Sequence, residues 1–161
     1  MRILILGASG MLGHRICQLL AEQFEIWGTF HGDGTRYERH KFLPSGCSIP
    51  GVDAQNFSTV SSAIEKVKPD AIVNCIGIVK QRDEAKQVIP SIHVNALFPH
   101  QLADLCVARG IRVIQISTDC VFSGFRGNYS EIDAPDPVDL YGRTKLLGEL
   151  NRPGCLTLRT S

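Results

Sequence analysis

At 161 residues, with 43% hydrophobic and 20% charged side chains, the chain has the length and apolar content of one domain with a sizeable core. Its formal charge of +1 gives no electrostatic case for a nucleic-acid or membrane partner, and no apolar run approaches the ~20 residues that span a bilayer. The N-terminal apolar stretch is too short for a signal-peptide core and breaks at Gly7, so a soluble, cytoplasmic protein is expected.

Residues 3–6 are continuously apolar, the mark of a strand buried on both faces in a parallel sheet. The run stops at Gly7-Ala8-Ser9-Gly10-Met11-Leu12-Gly13. Leu12, Ile16, Leu19, Leu20 and Phe24 then recur at helical spacing. Strand, glycine-rich turn and amphipathic helix in that order suit a pyrophosphate. Glycines let the backbone approach it, and a helix N-terminus offers unpaired N–H groups and a positive dipole end. The spacing is G-x-x-G-x-x-G rather than the commoner G-x-G-x-x-G.

Residues 25–30 read as a second strand and His31-Gly32-Asp33-Gly34 as a turn. An NAD-selective site places an acid at the end of this strand, on the ribose 2′-hydroxyl. Here Gly28-Thr29-Phe30 carries none, and His31, Arg36, Arg39 and Lys41 follow, which leans toward NADP; Asp33 is the alternative acid, leaving NAD open. Residues 42–52, with Pro44, Gly46, Pro50 and Gly51, read as loop with at most a short edge strand. Asp53 opens a helix carrying Val60, Ile64 and Val67 and closing at Pro69; it serves equally as a cap or turn acid and as a cofactor contact.

Residues 71–77 read as another buried strand, with Gly77 where a cofactor presses on the backbone, and the charged residues from Lys80 to Lys86 as an exposed loop. Residues 92–109 read as a helix interrupted at Phe98-Pro99, with Asn95 bridging backbone groups and His93 and His100 as packing or surface histidines without an evident partner. A strand over 111–116 runs into Ser117-Thr118-Asp119, followed by a loop or lid over 128–139, a helix over 141–150 and a last strand over 155–159. The alternation predicts an α/β fold: a Rossmann-like, doubly wound parallel sheet with helices on both faces. The six cysteines show no C-x-x-C pair and no metal-ligand spacing to histidine, so neither a disulfide framework nor a metal site is expected.

Tyr141 and Lys145 lie four apart, on one helical face. With the hydroxyl of Thr118 at a strand end, they make a set that can move a proton to or from a carbonyl/alcohol pair.

On these residues the chain resembles the extended short-chain dehydrogenase/reductase superfamily, with particular likeness to dTDP-4-dehydrorhamnose reductases. The matching pieces are Gly7-x-x-Gly10-x-x-Gly13, Asp53, Asn74-Cys75-Ile76-Gly77, Asn95, Ser117-Thr118-Asp119-x-Val121-Phe122-x-Gly124, Pro137 and Tyr141-Gly142-x-Thr144-Lys145-x-x-Gly148-Glu149. The resemblance implies reduction of a nucleotide-linked 4-keto-sugar by NADPH or NADH. Thr118, Tyr141 and Lys145 would be catalytic, Lys145 lowering the Tyr141 pKa from its ordinary value near 10. Gly7, Ser9, Gly10, Met11, Leu12, Gly13, Asp53, Cys75, Ile76, Gly77, Tyr141 and Lys145 would hold the cofactor, and Asp119, Cys120 and Phe122 the substrate. A homodimer is one assembly open to such a chain. Cys120 stands where these reductases usually have Tyr, and where dehydratases have the Glu of Thr-Asp-Glu, which argues against dehydration. The enzymes of this type are longer, so residues 1–161 are expected to be the NAD(P)-binding domain, with most of the sugar-nucleotide pocket built by sequence beyond it. The other readings are an epimerase on the same scaffold and a non-catalytic subunit like the regulatory subunit of methionine adenosyltransferase.

Overall fold

A computed structural model of the protein describes residues 1–32, 42–79 and 86–161; the expectations for Asp33, Arg36, Arg39, Lys41 and residues 80–85 lie outside the described residues. Strands β1 (Arg2–Leu6), β2 (Glu25–Thr29), β3 (Ser48–Ile49), β4 (Ala71–Asn74), β5 (Arg112–Thr118) and β6 (Cys155–Thr160) form one parallel sheet in the order β3-β2-β1-β4-β5-β6. The chain builds outward from β1 in one direction, then returns to build β4 on its other side. The crevice at this switch point, beyond the strand ends, is where open α/β sheets receive ligands.

Strand alternation divides the core. Leu4, Leu6, Ile72 and Val113 meet Val60, Ile64 and Val67 of α2 (Phe57–Val67) and Phe98 and Leu102 of α4 (Phe98–Val107). Ile3, Ile5, Ile26 and Val73 point the other way, onto Cys17 of α1 (Met11–Leu20) with Ile16, Leu20 and Phe24. Leu12 and Leu19, expected on the inner stripe of α1, are exposed. The rotation is set by Gly13, where a Cβ would run into the Gly7 carbonyl, so the Gly13–Cys17 edge faces the sheet.

Other boundaries also move for local reasons. Asp53 does not open α2; it sits four residues earlier and accepts from Gln55 N at 2.9 Å in a turn of its own. The fourth strand stops at Asn74 instead of Gly77, because the Asn74 side chain accepts from Ile76 N at 3.1 Å and bends the backbone out of the ladder. The helix expected over 92–109 starts earlier and passes Pro99 without a break. It runs as α3 (Val88–Ser91), a π-helical turn (Ile92–Leu97) and α4. Pro99 has no N–H for the Asn95 carbonyl, and the wider turn, in which Phe98 N donates to His93 O, absorbs the fault. β5 continues through Thr118 because β6 pairs beside it, Ser117 with Arg159 and Thr118 with Thr160. His100, expected without a partner, has its Nε2 2.7 Å from the Leu147 carbonyl, at the end of α5 (Leu140–Leu147). Among the described residues no helix is long and apolar enough to cross a membrane.

Candidate active site

Gly7 takes φ +78°, which only glycine adopts without strain, and a Cβ on it would press at 3.3 Å on the Cys75 and Ile76 backbone. The tips of β1 and β4 therefore touch through bare backbone. Gly7 N donates to the hydroxyl of buried Thr29 at 3.1 Å, and Gly10 N to the Gly7 carbonyl at 3.0 Å. Gly10 is exposed, Met11 is 93% exposed, and no side chain among the described residues caps α1. The first-turn N–H groups thus lie at the open end of a glycine cradle, the arrangement that takes an anion.

At the β4–β5 junction, two fully buried amides meet: Asn74 Nδ2 donates to Gln115 Oε1 at 2.8 Å, and Gln115 Nε2 to the Ile116 carbonyl at 3.0 Å. Asn95 bridges the loop beyond, accepting from Ile78 N at 2.9 Å and donating to Ile78 O at 3.0 Å. This fixes Gly77, which is exposed; a Cβ there would sit 3.4 Å from Asn95 Oδ1 and 3.9 Å from Lys145 Nζ.

Lys145 and Tyr141 come from α5. Asp139 caps its start, accepting from Gly142 N at 2.8 Å, and Gly142 lets the helix lie directly on the Cys120 carbonyl, which a Cβ would strike. Lys145 is 6% exposed, its ammonium donating to the Ile116 carbonyl at 2.6 Å. Burial brings its pKa down to about 8, with the negative charge of Glu149 pulling back. Tyr141 is half-buried, beside the Thr118 hydroxyl. Here the sequence expectation reverses: burial raises the phenol pKa, the Thr118 hydroxyl acts against this, and Asp119 and Asp139 reinforce it. Thr118 also donates to Asp119 Oδ1 at 3.2 Å and accepts from Cys120 N at 3.1 Å.

Thr118, Tyr141, Lys145 and Gly77 are thus brought together, with the Gly7–Gly13 turn alongside across the β1–β4 contact. Asp53 follows β3, with His31 Nε2 3.7 Å from its carboxylate. Asp119 is exposed and Cys120 partly so, in a 3₁₀ turn after β5. Phe122 is engaged by the protein itself, stacked on Tyr129 with centroids 4.5 Å apart and lying 5.1 Å from the Arg159 guanidinium. Sequence reading assigned no role to Thr29, Gln115 or Arg159. Polar residues inside apolar strands were the available signal.

The family model of the RmlD substrate binding domain matches residues 1–161. Among curated relatives, dTDP-4-dehydrorhamnose reductase of Aggregatibacter actinomycetemcomitans is 30% identical, covering 99% of this chain and 51% of the relative. Methionine adenosyltransferase 2 subunit beta of Mus musculus is 34% identical, covering 92% of this chain and 41% of the relative. The chain spans about half the length of the curated relatives it matches. Of solved structures, a hypothetical dTDP-4-dehydrorhamnose reductase from Sulfolobus tokodaii superposes with a TM-score of 0.83 at 29% identity, covering 99% of this chain and 55% of the other. The Bacillus anthracis dTDP-4-dehydrorhamnose reductase in complex with NADP gives 0.76 at 26% identity, covering 98% of this chain and 52% of the other. The chain belongs to the RmlD substrate-binding domain family, a dTDP-4-dehydrorhamnose-reductase-like member of the extended short-chain dehydrogenases/reductases.

Proposed function

We propose that this chain provides the dinucleotide-binding and proton-transfer machinery of an NAD(P)H-dependent reductase of a nucleotide-linked 4-keto-sugar. The observation that carries this is the meeting of Tyr141, Thr118 and Lys145 beside the bare backbone of Gly77, with an uncapped helix N-terminus across the same crevice. The residues fit a dinucleotide. Gly13 packs too tightly on Gly7 for any side chain, while Gly10 is exposed and leaves the approach to α1 clear for a pyrophosphate.

When bound, the nicotinamide supplies a hydride to the sugar carbonyl carbon. Tyr141 gives its proton to the carbonyl oxygen; the raised pKa keeps the phenol protonated near neutral pH, as a donor must be. Thr118 turns its single hydroxyl proton from Asp119 Oδ1 to the same oxygen and holds it in line with the phenol. Lys145, at about 8, carries an exchangeable proton near neutrality and lies where it can bond the nicotinamide ribose. Asp119 and Cys120 border the substrate side. The preferred cofactor is NADP(H), supported by the acid-free end of β2 and by the NADP complex of the Bacillus anthracis relative.

A second reading, a non-catalytic NADP-binding subunit, is favoured by the 34% identity to methionine adenosyltransferase 2 subunit beta. The test is NADPH oxidation by the gene's complete product with a panel of 4-keto-sugar nucleotides. Turnover with one of them supports the reductase. Cofactor binding without turnover on any selects the binding subunit.

A further inference from the structure

Two consecutive residues of β5 are tied to α5 and the chain leaving it, and the third faces the same helix. The Ile116 carbonyl accepts from Lys145 Nζ at 2.6 Å, Ser117 Oγ donates to Glu149 Oε1 at 2.7 Å, and the Thr118 hydroxyl faces the Tyr141 phenol. The second tie involves a charge that pulls on the Lys145 ammonium but touches neither Tyr141 nor Thr118 by any hydrogen bond. Glu149 is gripped in a two-point fork by Arg159, whose Nε donates to Oε1 and Nη2 to Oε2, both at 2.8 Å. Ser117 and Arg159 are cross-strand partners in the β5–β6 register, so one carboxylate clasps both members of the pair. The Glu149 side chain is only 14% exposed and Ser117 3%. A partly buried ion pair of this kind is weak evidence of net stability over apolar packing; what it does visibly is join two strand ends to the chain leaving α5. Arg159 also lies over Phe122, which stacks on Tyr129, so the clasp reaches the loop beyond Thr118.

We propose that Glu149 is a positioning residue for the Tyr141–Thr118–Lys145 cluster: by clasping Ser117 and Arg159 it fixes the exit of α5 against the end of β5 and thereby sets the separation of Thr118 from Tyr141. The kinetic consequences rest on the reductase reading; the geometric ones do not. Without the carboxylate, Ser117 is free to turn and the neighbouring Thr118 loses its register with the phenol. A misplacement of about 1 Å in such a cluster costs about 10²-fold in rate.

The experiment compares Glu149→Gln and Ser117→Ala with the parent in the gene's complete product, labelled with ¹³Cζ-tyrosine. Tyr141→Phe assigns the signal of interest among the labelled tyrosines. In Glu149→Gln the Tyr141 resonance should shift or split, with NADPH affinity within about threefold of the parent, kcat lowered about 10- to 100-fold and KM changed less than about threefold. Ser117→Ala, which leaves the Glu149–Arg159 pair whole, should move the same quantities in the same direction, with kcat lowered about 3- to 10-fold; it decides the matter if Glu149→Gln does not fold. An unchanged Tyr141 resonance and kcat in the folded variants, even with a lowered Tm, would make Glu149 a structural clamp and overturn the proposal. So would an NADPH affinity lowered more than about tenfold with the Tyr141 resonance unmoved. A parent without turnover sinks the reductase reading alone, and the tyrosine spectrum still decides the role of Glu149.

Discussion

Lys145→Met measures what the buried ammonium costs the fold. Burial lowers the Lys145 pKa from 10.5 to about 8, against the pull of Glu149 and Cys75. The residue is 6% exposed, so solvent screening discounts the effect little. Between those two values the unfolded chain holds a proton that the folded chain has released, and stability therefore rises with pH across the window. At about 1.4 kcal/mol per pH unit the whole gap is worth about 3 kcal/mol, of which about 2 kcal/mol falls in the accessible range from near pH 7 to near pH 9.5.

The raw stability curve will not show this cleanly. Burial pushes the thiols of Cys17, Cys75 and Cys106 from 9.0 up to about 12. Their contribution has the opposite sign: it is complete below 9.0 and is lost as pH rises toward 12. The readout is therefore the difference between parent and Lys145→Met, both carrying Cys75→Ala because that thiol is coupled to Lys145; the contributions of Cys17 and Cys106 then cancel. Methionine keeps the length of the chain and leaves no large cavity. Urea unfolding followed by circular dichroism should show that difference moving in favour of the parent by about 2 kcal/mol between near pH 7 and near pH 9.5. A difference flat to within about 0.5 kcal/mol would mean that Lys145 titrates as an exposed lysine, and the buried bond to the Ile116 carbonyl would have to be given up.

Tyr141→Phe in the gene's complete product should lower kcat by about 10²- to 10⁴-fold with NADPH affinity nearly unchanged, and an unaltered kcat would remove the phenol from the mechanism. Gly10→Val should abolish NADPH binding, read by quenching of NADPH fluorescence, while leaving the fold intact, since the nearest atom to a Cβ there is the Gly7 carbonyl at 3.4 Å; normal binding would refute the pyrophosphate assignment. Gly142→Ala should destabilise the chain by about 1–3 kcal/mol in urea unfolding, because the added methyl strikes the Cys120 carbonyl and comes within 2.9 Å of Pro137 Cβ. A neutral result there would contradict the seating of α5 on the 3₁₀ turn.

The unit β1–turn–α1 was legible because its signals are local: an apolar run, spaced glycines, then helical periodicity. The rotation of α1 was not, since it depends on Gly13 meeting the Gly7 carbonyl across the turn, a contact that exposes Leu12 and Leu19. Phe98-Pro99 read as a break because the sequence shows the missing N–H. It does not show Gly148, some fifty residues on, where any Cβ would strike the Asn95 carbonyl, so that the chain after α5 can close on the widened turn. In the site, the Tyr141–Lys145 spacing was enough to pair them on one face. The direction of the Tyr141 pKa was hidden, because it depends first on how deeply the phenol lies once α5 is seated.

A parallel-sheet centre is satisfied by apolar side chains, yet the end of this one gathers Asn74, Gln115, Ser117, Thr118, Asn95, Thr144 and Lys145, all buried. Each polar group is answered: Asn74 by Gln115, Asn95 by Ile78, Thr144 by the carbonyls of Leu140 and Tyr141, Lys145 by Ile116, Ser117 by Glu149 and Thr118 by Asp119. Such a network is costly when partly satisfied and rigid when complete. Its effect is to hold an ammonium in a dry place beside the exposed backbone of Gly77, at a cost to stability of about 3 kcal/mol near neutral pH. The same dryness raises the neighbouring phenol. The packing of the strand ends thus sets both shifts at once, lowering the ammonium and raising the phenol.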